Sequence, residues 1–161
     1  MNALAEEVIV AAKGAGVMIA TAESCTGGMI GAALTDVAGS SAVVDRGFIT
    51  YSNEAKAQML GFPLAHTQDP GAVSALVAQE MVAGALSRSN AQLAVAVTGI
   101  AGPGGGSEAK PVGLVFLAVQ RAGTKARIEE CHFADLGAVT RADVRRMTVE
   151  KALNMLLEAL G

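Results

Sequence analysis

Residues 17–28, VMIATAESCTGG, carry an apolar run straight into a cluster of small polar and glycine residues. The run VMIATA reads as a buried strand that ends at Glu23 and Ser24. The following TGGMIGAALTDV reads as a helix, with Thr26 available to cap it. A strand that hands small polar residues to a helix start is the unit from which open α/β sheets build ligand sites. The pattern recurs where LAVAVTG (93–99) reads as a central strand entering IAGPGGG.

Working outward, Leu4, Val8, Ala11, Ala12 and Ala15 recur at helical spacing before Gly14 and Gly16, so the chain opens with an amphipathic helix. GFITY (47–51) reads as a second strand, and SNEAKAQMLG (52–61) as a short helix capped by Ser52 or Asn53 and ended by Gly61 and Pro63. Past Asp69 and Pro70 a longer helix carries Val73, Leu76, Val77, Met81 and Ala85. VGLVFLAVQ (112–120) and KARIEECHFA (125–134) read as two strands joined at Ala122 and Gly123. The last helix opens with Thr140 and Asp143 in capping-box spacing and presents Val144, Thr148, Ala152, Met155 and Ala159 on one face. Strands alternating with helices predict an α/β class, and the late strand pair makes the sheet mixed.

A chain of 161 residues is expected to form one domain over 1–161, burying roughly 70% of its unfolded surface. Apolar residues make up 52% of it, yet it has four Phe, one Tyr and no Trp, so the core is built from small aliphatic side chains. A net charge of −3 argues against nucleic acid as a partner, which needs clustered Lys and Arg, and leaves room for one small phosphate. Cys25 and Cys131 form no CxxC pair, which fits a reducing, cytoplasmic setting. The segment MNALAEEVIVAAKGAG lacks a basic start and an unbroken apolar stretch, so no signal peptide is expected. No segment approaches the roughly 20 apolar residues that would make a membrane a partner.

Several residues could carry chemistry. A helix starting just past Ser24 would aim free N–H groups at whatever that serine attacks, as an oxyanion requires. Ser24 and Thr26 could equally be helix caps, with Gly27 and Gly28 allowing close packing. Amides of the glycine-rich loop can wrap a phosphate or carboxylate, or the loop can be a plain flexible turn. It matches neither GxxxxGK[ST] nor GxGxxG. Histidine is scarce as a base, with His66 in a loop and His132 in a strand pattern. Lys56 is the alternative: a desolvated lysine can deprotonate serine, although a solvated helix charge fits the spacing as well. Cys25 is a rival nucleophile, since a helix N-terminus should lower its thiol pKa. Arg141 and Arg145 share a helix face and could clamp a phosphate or carboxylate, or merely solubilise it. No Cys, His and acidic cluster has metal-site spacing, so no metal is expected.

Taken together, TAESCTGG (21–28), TDVAGSSA (35–42), TYSNEAK (50–56), GAVS (71–74), AVTGIAGPGGG (96–106) and KPVG (110–113) resemble the C-terminal domain of the competence/damage-inducible CinA family. That domain also occurs alone as nicotinamide-nucleotide amidase. The resemblance implies a self-associating three-layer α/β/α sandwich with a mixed, mostly parallel sheet. It also implies hydrolysis of nicotinamide mononucleotide to nicotinate mononucleotide and ammonia without metal or cofactor. It puts Ser24, Ser41, Tyr51, Lys56, Thr98 and Arg145 in or near the site. The expected scheme has Ser24 as nucleophile, with Ser41 as its alternative. Lys56 accepts the proton directly or through Ser41, and Tyr51 positions or protonates. Amides of Thr26, Gly27 and Gly28 or of the Gly99 loop hold the oxyanion, while Thr98, Gly99, Gly102, Gly104, Gly105 and Arg145 hold ribose and phosphate. The rival readings are a nucleotide-binding or adaptor domain that hydrolyses nothing, and a cysteine amidase using Cys25.

Overall fold

Five strands share one sheet in the computed structural model, which describes residues 1–161. They are β1 (Ile19–Glu23), β2 (Val44–Ile49), β3 (Leu93–Gly99), β4 (Leu114–Arg121) and β5 (Arg127–His132), in the order β2-β1-β3-β4-β5. β1 pairs in parallel with both β2 and β3, whereas β3 with β4 and β4 with β5 are antiparallel. The sheet is mixed, as expected, but divides evenly between the two kinds of pairing. The glycine-rich segment after β3 accounts for this, because it turns the chain straight back instead of crossing over the sheet through a helix.

The helices are α1 (Asn2–Ala15), α2 (Met29–Thr35), α3 (Asn53–Leu60), α4 (Ala75–Ser87) and α5 (Arg141–Leu160). Strand alternation sorts side chains by size. Ile19, Leu93, Val95, Val97 and Leu117 join the core beneath α1, α2 and α5. Ala20, Ala22, Ala94, Ala96 and Ala118 form the opposite face, against Val77, Ala78, Met81 and Val82 of α4. The result is three layers, with one face of branched side chains and one of alanines. No helix is long and apolar enough to cross a membrane.

Local chemistry explains three of the five helix starts. Ser52 accepts from the Ala55 N–H at 3.0 Å, Ser74 from the Val77 N–H at 3.2 Å, and Thr140 with Asp143 completes a capping box. The backbone bond from Thr140 holds the Asp143 carboxyl below the usual carboxylate range. Three elements depart from the sequence reading. β2, expected over 47–51, runs Val44–Ile49, so Thr50 and Tyr51 lie beyond it. α2 begins at Met29, preceded by Gly28 at φ 99, and Thr26 does not cap it. α4 begins at Ala75, so Val73 lies ahead of it.

α3 is set against α4 at Gly84, where a Cβ would lie 2.3 Å from the Leu60 carbonyl oxygen. Gly84→Ala should force the helices apart and destabilise the fold by about 1–3 kcal/mol, read as a lower urea midpoint. An unchanged midpoint would show that this approach can relax freely.

Candidate active site

From β1 the chain passes through α2, against the branched face, to β2. From β2 it passes through α3 and α4, against the alanine face, to β3. The carboxyl ends of β1 and β3 therefore flank a topological switch point, where open α/β sheets place ligands. Residues 24–28 leave β1 there, residues 50–56 leave β2, and residues 100–113 link β3 to β4.

Segment 24–28 is built around Glu23, which is 1% exposed. Its Oε1 accepts from Thr26 Oγ1 at 2.6 Å and from the Ile30 N–H at 2.9 Å, and its Oε2 accepts from the Gly31 N–H at 2.9 Å. Two of the leading amides of α2 are thus taken, and they are not free to face a ligand as the sequence suggested. The N–H groups of Cys25, Thr26 and Gly28 have no backbone acceptor, whereas that of Gly27 donates to the Ser24 carbonyl at 3.0 Å. Sequence reasoning passed over Glu23. Its one signal was an acid closing an apolar strand just ahead of a helix.

Arg145 grips the same turn from α5, donating from Nε to the Cys25 carbonyl at 3.1 Å and from Nη2 to the Thr26 carbonyl at 3.2 Å. The arginine expected to hold phosphate is therefore engaged in holding backbone. Ser24 is 8% exposed, and its N–H donates to the Val97 carbonyl at 3.1 Å, tying the turn to β3.

Lys56 is 2% exposed, sits in the first turn of α3 and donates from Nζ to the Thr50 carbonyl at 3.0 Å. The Thr50 N–H in turn donates to the Glu23 carbonyl at 2.8 Å, so lysine and turn share one backbone strut. Burial pulls the Lys56 ammonium below its usual 10.5, partly opposed by the nearby Cys25 sulfur. Burial also pushes the Cys25 thiol up to about 11, against its own backbone bond and the Lys56 charge. The lowered thiol expected from a helix N-terminus is therefore reversed, because burial outweighs the groups that favour the thiolate and the Glu23 charge adds to it.

The remaining residues divide. Ser41 is exposed in a 3-10 turn ahead of β2, at the opposite end of the parallel strands from Ser24. Five strand residues, roughly 17 Å, separate those ends, so one chain does not bring Ser41 to Lys56. Tyr51 is 60% exposed and its hydroxyl accepts from Arg141 Nη2 at 2.6 Å, while Arg141 Nη1 donates to the Gly102 carbonyl at 2.8 Å. Thr98 donates its hydroxyl to the Ala72 carbonyl at 2.8 Å, fastening the GAVS segment to β3. A Cβ at Gly99 would lie 2.6 Å from Val115 and one at Gly102 2.5 Å from Val112, so these glycines serve packing. Gly104 has nothing within 4 Å of that position and Gly105 only Ile100 at 3.9 Å, leaving their backbone open to approach. His66 lies 2.9 Å from Glu80 and His132 2.8 Å from Glu130, so both rings are paired with carboxylates.

The family described as the CinA C-terminal domain matches residues 1–160. The nicotinamide-nucleotide amidohydrolase PncC of Escherichia coli K12 is 51% identical over 139 residues, 86% of this chain and 84% of that protein. A putative competence-damage inducible protein of Caldicellulosiruptor bescii is 51% identical over 138 residues, but the chain spans only 32% of its length. Among solved structures, the competence/damage inducible protein CihA of Agrobacterium tumefaciens superposes with a TM-score of 0.93 at 52% identity, covering 99% of this chain and 94% of that one.

A thiol at about 11 instead of 9.0 carries ~100-fold less thiolate at pH 8. Iodoacetamide should therefore leave Cys25 of the native protein unmodified under conditions that alkylate the unfolded chain fully, as read by mass spectrometry. Equal rates would refute the dry environment.

Proposed function

The chain belongs to the CinA C-terminal domain family, and from that premise we propose that it hydrolyses nicotinamide mononucleotide to nicotinate mononucleotide and ammonia. Ser24 is the nucleophile and Lys56 its base. The observation that carries this reading is Lys56: a buried lysine bonded to a carbonyl, with no carboxylate partner and a lowered pKa, beside the turn that bears Ser24. A lysine kept charged for structure would be paired. One kept partly neutral can accept a proton.

Ser24 Oγ attacks the carboxamide carbon as its proton passes to Lys56 Nζ. Lys56 returns that proton to the departing nitrogen, ammonia leaves, and water deprotonated by Lys56 hydrolyses the ester to release the acid and Ser24. The tetrahedral oxyanion falls to the turn, where the free Gly28 amide is the one open to approach, a donor contributing about 3 kcal/mol. The Ile100 amide is committed to the Leu114 carbonyl at 2.9 Å, which favours the turn over the Gly99 loop. Glu23 and Arg145 fix the turn, Thr98 acts through Ala72, and the open glycines 104 and 105 face the phosphate end. No relay through Ser41 enters this scheme.

Ser24→Ala and Lys56→Met should each lower kcat for ammonia release at least about a thousandfold while the protein stays folded. Turnover of Ser24→Ala within tenfold of the parent would remove Ser24 as nucleophile. Binding of the mononucleotide with no ammonia at any enzyme concentration would return the binding-only reading.

The pH dependence has a definite sign. Catalysis needs neutral Lys56, so kcat/KM should rise with pH to an apparent pKa below 10.5. Stability moves the same way. Between the folded-state value and 10.5 the unfolded chain binds more protons, so the parent should gain stability with rising pH relative to Lys56→Met. Parallel urea midpoints for the two proteins across that window would contradict the lowered pKa.

A further inference from the structure

If Arg145 is committed to the Ser24 turn, some other group must recognise the phosphate that distinguishes a nucleotide from a nucleoside. Arg141 lies four residues earlier on α5, exposed at its first position and outside every ion pair of the chain. A guanidinium has five N–H donors. Like Arg145 it bonds only neutral acceptors, the Gly102 carbonyl and the Tyr51 hydroxyl, but Arg145 is half-buried against the turn whereas Arg141 is exposed, so its remaining donors are open to a ligand.

The loop that Arg141 touches is prepared for an anion. The N–H groups of Ala101, Gly102, Gly104, Gly105 and Gly106 have no backbone acceptor, although Ala101 is only 4% exposed. Gly102 and Gly105 have φ of 80 and 85, and backbone of alternating hand turns successive amides into an anion-binding concavity. Lys110, the other cation of this loop, is directed to the Pro70 carbonyl at 2.7 Å. The spacing also fits. Arg145 touches the carbonyl of Cys25, the residue after Ser24, and four helical residues advance ~6 Å along α5. Arg141 is thereby offset from the reacting carboxamide, as the phosphate is offset from the pyridine ring by a ribose.

We propose that Arg141, with the amides of the glycine loop, binds the 5′-phosphate of the substrate and sets the preference for nucleotide over nucleoside. This rests on the mononucleotide reading above. The test measures ammonia release from nicotinamide mononucleotide and from its dephosphorylated nucleoside by the full chain and by Arg141→Gln, Arg141→Lys and Arg145→Gln. In Arg141→Gln the ratio of kcat/KM values, nucleotide over nucleoside, should fall at least tenfold, through KM for the nucleotide. Arg141→Lys should recover part of it, and Arg145→Gln should depress both substrates alike. An unchanged ratio in Arg141→Gln, or a collapse confined to Arg145→Gln, overturns the proposal. Should the parent release no ammonia from either compound, the hydrolase reading fails by itself. Calorimetric binding of the same two compounds then decides: tighter nucleotide binding that Arg141→Gln abolishes supports the phosphate role, and equal binding by both proteins overturns it.

Discussion

The site depends on one buried carboxylate. Glu23 closes an apolar strand inside the sheet, and its charge is met by two hydroxyls, of Thr21 and Thr26, and two helix amides, with no cation opposite it. A carboxylate left without such donors would cost several kcal/mol, so strand, turn and helix must arrive together. This explains why α2 starts only at Met29, why Thr26 turns inward, and why the free amides next to Ser24 belong to the turn. Arg145 does the complementary work from α5, its cation met by carbonyls of the same turn. Acid and base thus hold one short segment through backbone dipoles and make no ion pair with each other.

The same burial acts on the two ionisable groups nearest the turn in opposite chemical senses. It raises the Cys25 thiol and lowers the Lys56 ammonium, favouring the neutral form of both. A neutral thiol is a poor nucleophile, whereas a neutral amine is a good base. One dry patch therefore disfavours Cys25, the rival of Ser24 as nucleophile, and suits the base proposed above.

Much of the architecture was legible because it follows periodicity. LAVAVTG gave its strand, the Thr140 and Asp143 spacing its capping box, and Ser52 the start of its helix. What stayed hidden depends on contacts far apart in the chain. Motif order does not reveal that Ser41 and Lys56 flank opposite ends of β2. Nor does it reveal that the hydroxyl of Thr98 and two donors of Arg145 are taken by the carbonyls of Ala72, Cys25 and Thr26. Backbone acceptors carry no letter in a sequence, so the residues most closely bound to them were read as ligand contacts. Glu23 was missed for the same reason, since two of its four partners are amides.

The isolation of Lys56 has an evolutionary corollary. A buried amine without a counter-charge is a standing burden on the folded state, relieved by almost any apolar residue of similar length. Drift under selection for heat resistance alone would therefore replace this lysine early and yield hardier proteins with an empty function. On the role proposed for Lys56, its retention in a lineage records continuing demand for the chemistry, and its loss would mark a copy released to serve as scaffold.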